Sequence, residues 1–149
     1  DGLNISINSI SQSTGNGESS AFNYSKNDIK ASFAIEQNIK GYDGKRFSVM
    51  LPLGEIDLGL IFQSSRKLSS GKSFSGHVVS MKRKISDKGS IYIQNAKSDM
   101  RVVSGKQNSI GYSHKINSST KIFAHYSTLR QQDSNDNITF ISTGLEYKF

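Results

Sequence analysis

Charged side chains at alternate positions are the feature of this sequence best suited to chemistry. Lys82 and Lys84, for example, are two residues apart, a spacing that puts both on the same side of an extended strand. A surface with more lysine than carboxylate attracts anions and repels cations. We expect one such face to include Lys82, Lys84, Lys115, Lys121, His125, Glu146 and Lys148, and these residues would line the lumen if the strands that carry them closed into a barrel.

The sequence shows no pattern typical of catalysis or metal binding. Its histidines are His77, His114 and His125, and no His-Glu-x-x-His, Gly-x-Ser-x-Gly or paired-carboxylate motif accompanies them. It has no cysteine, which excludes disulfides and thiolate metal sites. We therefore expect no enzymatic activity, no metal site and no cofactor.

The elements that must position these side chains are predicted to be β-strands. Apolar and polar residues alternate in segment after segment, as in Leu3, Ile5 and Ile7, which are separated by Asn and Ser. This period of two is typical of strands with one apolar face. The alternation predicts about ten strands, near residues 3–10, 20–25, 29–37, 46–51, 56–65, 74–85, 90–97, 106–116, 121–130 and 138–149.

The predicted connections alternate in length. Tight turns are expected at 26–28, 52–55, 87–89 and 117–119, and longer polar loops at 11–19, 38–45, 66–73, 98–105 and 131–137. Short turns on one side and longer loops on the other are typical of transmembrane β-barrels. Two hairpins, 79–93 and 110–124, also resemble each other in sequence, because consecutive hairpins of one barrel meet the same constraints.

The composition allows a membrane β-barrel. The 149 residues fit one domain, 1–149. Mean hydropathy is low, at −0.48, and no apolar run approaches the roughly 18 residues of a membrane helix. Barrel strands carry an equally weak signal, because only every second residue faces lipid.

The net charge is +7. Nucleic acid, lipopolysaccharide phosphates or an anion-selective lumen would each account for this excess, as would a solvated basic surface. The basic residues are scattered along the chain, which argues against a nucleic-acid groove. We expect no nucleic-acid partner.

The segment 110–127, Ile-Gly-Tyr-Ser-His-Lys-Ile-Asn-Ser-Ser-Thr-Lys-Ile-Phe-Ala-His-Tyr-Ser, resembles the penultimate hairpin of general Gram-negative porins. The residues that match the family pattern are Gly111, Tyr112, Thr120 and Tyr126. His114 stands where a tyrosine is usual. The closing Gly-Leu-Glu-Tyr-Lys-Phe also resembles the end of these porins, so the resemblance covers about the last 45 residues.

The resemblance implies an all-β fold, an antiparallel transmembrane β-barrel of about ten strands in this chain. Porins of this family are sixteen-stranded barrels of roughly twice this length, so the chain is expected to be either the C-terminal part of a porin or a small relative. The implied location is the bacterial outer membrane, and the implied function is a passive diffusion pore for small hydrophilic solutes, with a weak anion preference.

Two alternatives remain open from the sequence. A non-conducting small barrel could act as a structural or assembly subunit of an outer-membrane complex, or as a homo-oligomer. A soluble β-sandwich binding module also has alternating strands at this spacing, but it would pack its apolar faces into a dry core.

Two sets of residues are expected to contact partners. The resemblance implies that Gly144, Tyr147 and Phe149 form the signal recognised by the barrel-assembly machinery. On the long-loop side, arginine and lysine side chains are suited to lipopolysaccharide phosphates, since arginine binds phosphate oxygens in a bidentate manner. These candidates are Arg66, Lys67, Arg101 and Arg130, and solubilising loop charge is the alternative.

Overall fold

The computed structural model describes residues 2–10, 16–99, 105–131 and 137–148. The predicted all-β architecture is confirmed, because every predicted strand is present and all belong to one antiparallel sheet. The strands are β1 (Gly2–Ile10), β2 (Gly17–Lys26), β3 (Ile29–Ile39), β4 (Tyr42–Leu53), β5 (Ile56–Lys67), β6 (Ser73–Lys84), β7 (Gly89–Ser98), β8 (Gly105–Lys115), β9 (Thr120–Gln131) and β10 (Asn137–Tyr147). No helix within these ranges is long and apolar enough to cross a membrane.

The sheet is a simple meander in which each strand pairs with the next along the chain. Consecutive pairing requires only hairpin connections, which antiparallel strands form readily. Among the described residues, β1 pairs only with β2 and β10 only with β9. The described sheet is therefore open, with one free edge at each end.

The expected loop at 38–45 is wrong, because β3 and β4 are joined by a turn of only Lys40 and Gly41. Asn38, Lys40 and Gly41 all have positive φ angles, and the register shifts between Glu36 and Ile39. This irregularity lets the hairpin close tightly, although the polar sequence looks like a loop. The strict alternation of short and long connections consequently fails here.

The four turns at the opposite end of the sheet are short, as predicted. Asn27 and Asp28 both have positive φ, the geometry of a two-residue hairpin whose twist matches its strands. The two hairpins that resemble each other in sequence also close alike, since Ile85 and Ile116 each donate a backbone hydrogen bond to a carbonyl four residues later. We call this end the short-turn end and the other the long-loop end.

The two faces of the sheet differ in chemistry. One, the apolar face, carries the large hydrophobic side chains at alternate positions, and many are exposed, including Ile7 at 76% and Ile141 at 74%. The other, the polar face, carries many serines and glycines and most of the charged residues near the short-turn end. No hydrophobic side chain is buried in the described part of the chain. The sheet thus has no dry core, and this feature argues against the soluble β-sandwich.

The polar face is filled by large side chains lying over glycines. The ring of Tyr92 covers Gly111 so closely that an added Cβ would overlap it, and the ring of Phe123 covers Gly144 in the same way. Both pairs are neighbours on adjacent strands. Interior positions of barrels often alternate large and small residues in this manner.

The apolar residues form a band that drifts along the sheet. The cross-strand row that begins at Ile5 continues as Phe22, Phe33, Phe47, Phe62, His77, Lys97, Lys106, Arg130 and Asn137. On β1 this row runs through the middle of the apolar residues. On β10 the apolar residues begin at Ile141, closer to the short-turn end. The band therefore shifts toward the short-turn end from β1 to β10.

We expect Gly111→Ala to destabilise the sheet by about 1–3 kcal/mol, because the new methyl group overlaps the Tyr92 ring. The measurement is the free energy of unfolding by urea in detergent micelles. In a Tyr92→Ala background the same substitution should cost far less. An equal cost in both backgrounds would contradict the proposed packing.

Candidate functional site

Charged side chains are concentrated at the short-turn end of the polar face. The register places six of the predicted residues on it, namely Lys82, Lys84, Lys115, Lys121, His125 and Glu146. Lys148 follows β10, and its backbone N–H bonds to the Ser119 carbonyl at 2.8 Å. Lys30 and Asp57 share this face and this end of the sheet. Lysine thus outnumbers carboxylate here.

Three of these residues form one cross-strand row. Lys115 lies opposite Lys121, and Lys121 lies opposite Glu146. The Lys121 Nζ is 2.5 Å from the Glu146 Oε2. Asp57 lies opposite Lys82, but the two ion pairs found in the described residues do not include them. The carboxylate of Glu146 therefore neutralises Lys121, and Lys115 has no ion pair with any residue that the structure describes.

The middle of the polar face is a compact hydrogen-bonded cluster. Ser127 is fully buried, and its hydroxyl lies 2.7 Å from the Ser109 hydroxyl. The Gln107 amide donates to Ser109 at 3.1 Å. Beside this cluster the His125 ring meets the edge of Phe140, with centroids 6.4 Å apart. His125 thus has a packing role, and none of the ion pairs or hydrogen bonds found in the described ranges joins it to a carboxylate.

The described residues offer no metal site, since no three histidine, aspartate or glutamate side chains are grouped to hold an ion. On the apolar face near the short-turn end, two contacts join polar side chains. Arg83 pairs with Glu55 at 3.4 Å, and the Tyr112 hydroxyl lies 3.1 Å from the His114 Nδ1. Neither contact resembles a catalytic arrangement.

The predicted lipopolysaccharide contacts are not brought together. Arg66 and Lys67, expected in a loop, are the last residues of β5 and point to opposite faces. Arg130 lies on β9, with three strands between it and β5. Arg101 lies outside the described residues.

Two of the three predicted assembly residues lie in β10. Gly144 is on the polar face under the Phe123 ring, and Tyr147 is on the apolar face, 60% exposed. Phe149 lies outside the described residues. Gly144 therefore also has a packing role within the sheet.

The sequence analysis named Arg130 as a candidate but did not predict the row of basic residues on the apolar face to which it belongs. His77, Lys97, Lys106 and Arg130 are consecutive in the cross-strand row that begins at Ile5 and continues through four phenylalanines. Parity within each strand would have placed them on the apolar face, because Lys97 is an even number of residues from Ile93. Only the register shows that they are direct neighbours.

Comparison with solved structures shows a porin-like fold. An anion-selective porin from Comamonas acidovorans superposes with a TM-score of 0.75 over 91% of this chain, at 15% sequence identity. The chain spans 49% of the length of that porin. No protein-family model and no curated protein sequence matches the chain.

We expect Ser127→Ala to lower the free energy of unfolding by about 1 kcal/mol, because it removes one hydrogen bond from the buried cluster. Urea unfolding in detergent micelles measures this change. Ser113→Ala is the control, since Ser113 is on the same face but is half-buried. If both variants lose the same stability, the buried hydroxyl pair is not what holds β8 to β9.

Proposed function

We propose that this chain forms the wall of a β-barrel pore in the bacterial outer membrane, where small hydrophilic solutes pass by diffusion and anions are weakly preferred. The observation that carries the proposal is the separation of the two faces without a buried hydrophobic core. Lipid would cover the apolar face and water the polar face. The structural neighbour is an anion-selective porin, and this similarity supports the proposal.

The drift of the apolar band is what tilted strands would produce in a bilayer. The cross-strand row that passes through Ile5 on β1 reaches β10 at Asn137. The middle of the band lies at Ile5 on β1 but at about Thr143 on β10. On β10 it is therefore displaced from the row by six residues, or about 20 Å. The distance across the sheet from β1 to β10 is about 43 Å. The band thus runs at roughly 25° to the cross-strand rows, an inclination smaller than the 35–45° tilt that is typical of barrel strands.

Aromatic side chains lie at both edges of the inclined band. Phe47, Phe62 and Tyr126 are at its edge toward the long-loop end, whereas Tyr112 and Tyr147 are at the other edge. Rings at both interfaces are typical of outer-membrane barrels. The long-loop end would then lie at the outer surface, because short turns face the periplasm in such barrels.

The anion preference rests on the polar-face charges at the short-turn end. Lys30, Lys82 and Lys115 lack ion pairs within the described residues. A cationic lining in a narrow aqueous path raises the local concentration of anions. The selective region would therefore lie near the periplasmic mouth.

The open edges of the sheet favour a second candidate. Unpaired backbone groups at β1 and β10 are costly in hydrocarbon, so strands from elsewhere would have to complete the barrel. They could belong to a longer chain, to further copies of this chain or to another subunit of an outer-membrane complex. In that case the chain contributes half of a wall and does not conduct alone.

Planar-bilayer conductance under a KCl gradient distinguishes the two candidates. We expect stepwise conductance with a reversal potential toward the anion side, because the lining is basic. Insertion should be verified independently, for example by protease protection. Verified insertion without conductance would support the incomplete wall over the open pore.

Charge reversal on the polar face tests the proposed lining. Lys82→Glu with Lys115→Glu should move the reversal potential toward cation preference, since both residues would face the lumen. The matched control is Lys26→Glu with Lys45→Glu, which makes the same charge change on the apolar face. Equal shifts in both variants would contradict the assignment of the faces.

We also propose that the barrel-assembly machinery recognises the C-terminal residues. Deleting Phe149 should reduce the folded protein in the outer membrane severalfold, which the heat-dependent shift in gel mobility measures. Tyr112→Ala is the control, because it removes an exposed aromatic ring at the same edge of the band. If the deletion assembles as well as the control, recognition does not depend on this residue.

A further inference from the structure

Three residues of the row on the apolar face, Lys97, Lys106 and Arg130, have no role in the proposed pore, and we call them the basic row. Lys97 lies directly opposite Lys106, and Lys106 lies directly opposite Arg130. Like charges directly opposite each other destabilise a sheet. All three side chains are exposed, and neither ion pair in the described residues includes them. A bound anion would relieve the repulsion.

The row lies outside the apolar band. Lys97 is four residues beyond Ile93, Lys106 is four residues before Ile110, and Arg130 is four residues beyond Tyr126. Four residues of a strand span about 13 Å. Each basic side chain therefore lies well past the last large apolar residue that its strand carries on the apolar face, on the long-loop side.

Polar side chains fill the space between the band and the row. Asn95 and Asn108 are opposite each other, and the Asn95 amide donates to the Asn108 Oδ1 at 2.7 Å. Thr128 continues this polar row on β9. From the band outward, the surface changes from apolar to amide and hydroxyl, and then to cationic. Lipids with phosphorylated sugar headgroups carry acyl chains, hydroxyl groups and phosphates, and these three kinds of group suit the three parts of this surface.

A groove of about 480 Å³ follows the basic row, and its lining includes His77, Lys97, Lys106 and Arg130. The groove also contains Asp99, the acidic side chain that would oppose an anion. The Asp99 carboxylate accepts a hydrogen bond from the Ser75 backbone N–H, which holds it at the edge of the row. The groove therefore retains a net positive charge.

We infer that this surface binds the phosphate groups of lipopolysaccharide in the outer leaflet, through Lys97, Lys106 and Arg130. Arg130 provides the planar donor pair suited to phosphate oxygens, and the lysines provide point charges. The inference rests on the proposed location in the outer membrane. It replaces the dispersed loop contacts by one in-register site on the outer wall.

Binding of fluorescent diphosphoryl lipid A to the detergent-purified protein tests the site. The variant Lys97→Gln, Lys106→Gln and Arg130→Gln should bind about tenfold or more weakly at low salt, because each lost charge near a lipid surface weakens attraction. The matched control, Lys30→Gln, Lys82→Gln and Lys115→Gln, removes the same charge from the polar face and should bind like the unmodified protein. Equal losses in both variants would overturn the inference.

A second measurement needs no variant. The unmodified protein should prefer diphosphoryl lipid A to its dephosphorylated form, and inorganic phosphate at the same concentration should not displace the lipid. Equal affinity for both lipids, or displacement by inorganic phosphate, would overturn the lipid site. The lipid site would also be overturned if the variant Lys97→Gln, Lys106→Gln and Arg130→Gln kept its affinity for lipid A but changed its oligomeric state. That result would assign the row to contacts between copies of the chain.

The conductance of the unmodified protein separates this inference from the proposed function. A protein that conducts but does not bind lipid A overturns the lipid site alone. A protein that neither inserts nor binds lipid A overturns both.

Discussion

The pairing of backbone groups between neighbouring strands is the interaction on which the rest of this structure depends. In a soluble protein, burial of apolar side chains in a core supplies most of the stabilisation. Here no hydrophobic side chain is buried among the described residues, so a core cannot hold the strands together. Continuous hydrogen-bonded ladders do so instead, and they are worth most where no water competes for the backbone.

This dependence makes the register of the sheet decisive. Side chains alternate between the two faces, so the face of one residue determines the face of every other residue in the same strand. The packing of Tyr92 over Gly111 and Phe123 over Gly144 fixes the register on the polar face, because neither ring would fit over a side chain. The same register determines the position of the apolar band and of the two charged rows. One charged row lies at the long-loop end of the strands, and the other lies at the short-turn end.

The sequence alone predicted much of this fold, since alternation is a local property. It located all ten strands, and it assigned Lys82, Lys115, Lys121 and Glu146 to one face correctly. It failed at Asp43, Gly44 and Lys45, whose polar composition suggested a loop although they continue β4. Local composition cannot show that the bulge near Ile39 lets the ladder continue.

The basic row was beyond prediction for a different reason. Lys97 and Lys106 can be assigned to the apolar face by counting, but which residues lie opposite each other depends on the exact lengths of the intervening connections. A shift of two residues between β7 and β8 would leave every side chain on its present face. It would nevertheless place Lys97 opposite Asn108 instead of Lys106. Face assignment therefore follows from sequence, whereas a site built across strands follows only from register.

Two cationic regions with different roles can therefore share one strand. In β8, Lys106 and Lys115 are nine residues apart, an odd number that sends them to opposite faces. One faces the side proposed for lipid near the long-loop end, and the other faces the proposed lumen near the short-turn end. An insertion of one residue between them would bring both to one face. The net charge of the chain would not change, but only the original parity places one cation on the proposed lipid-facing side and the other on the proposed lumen side.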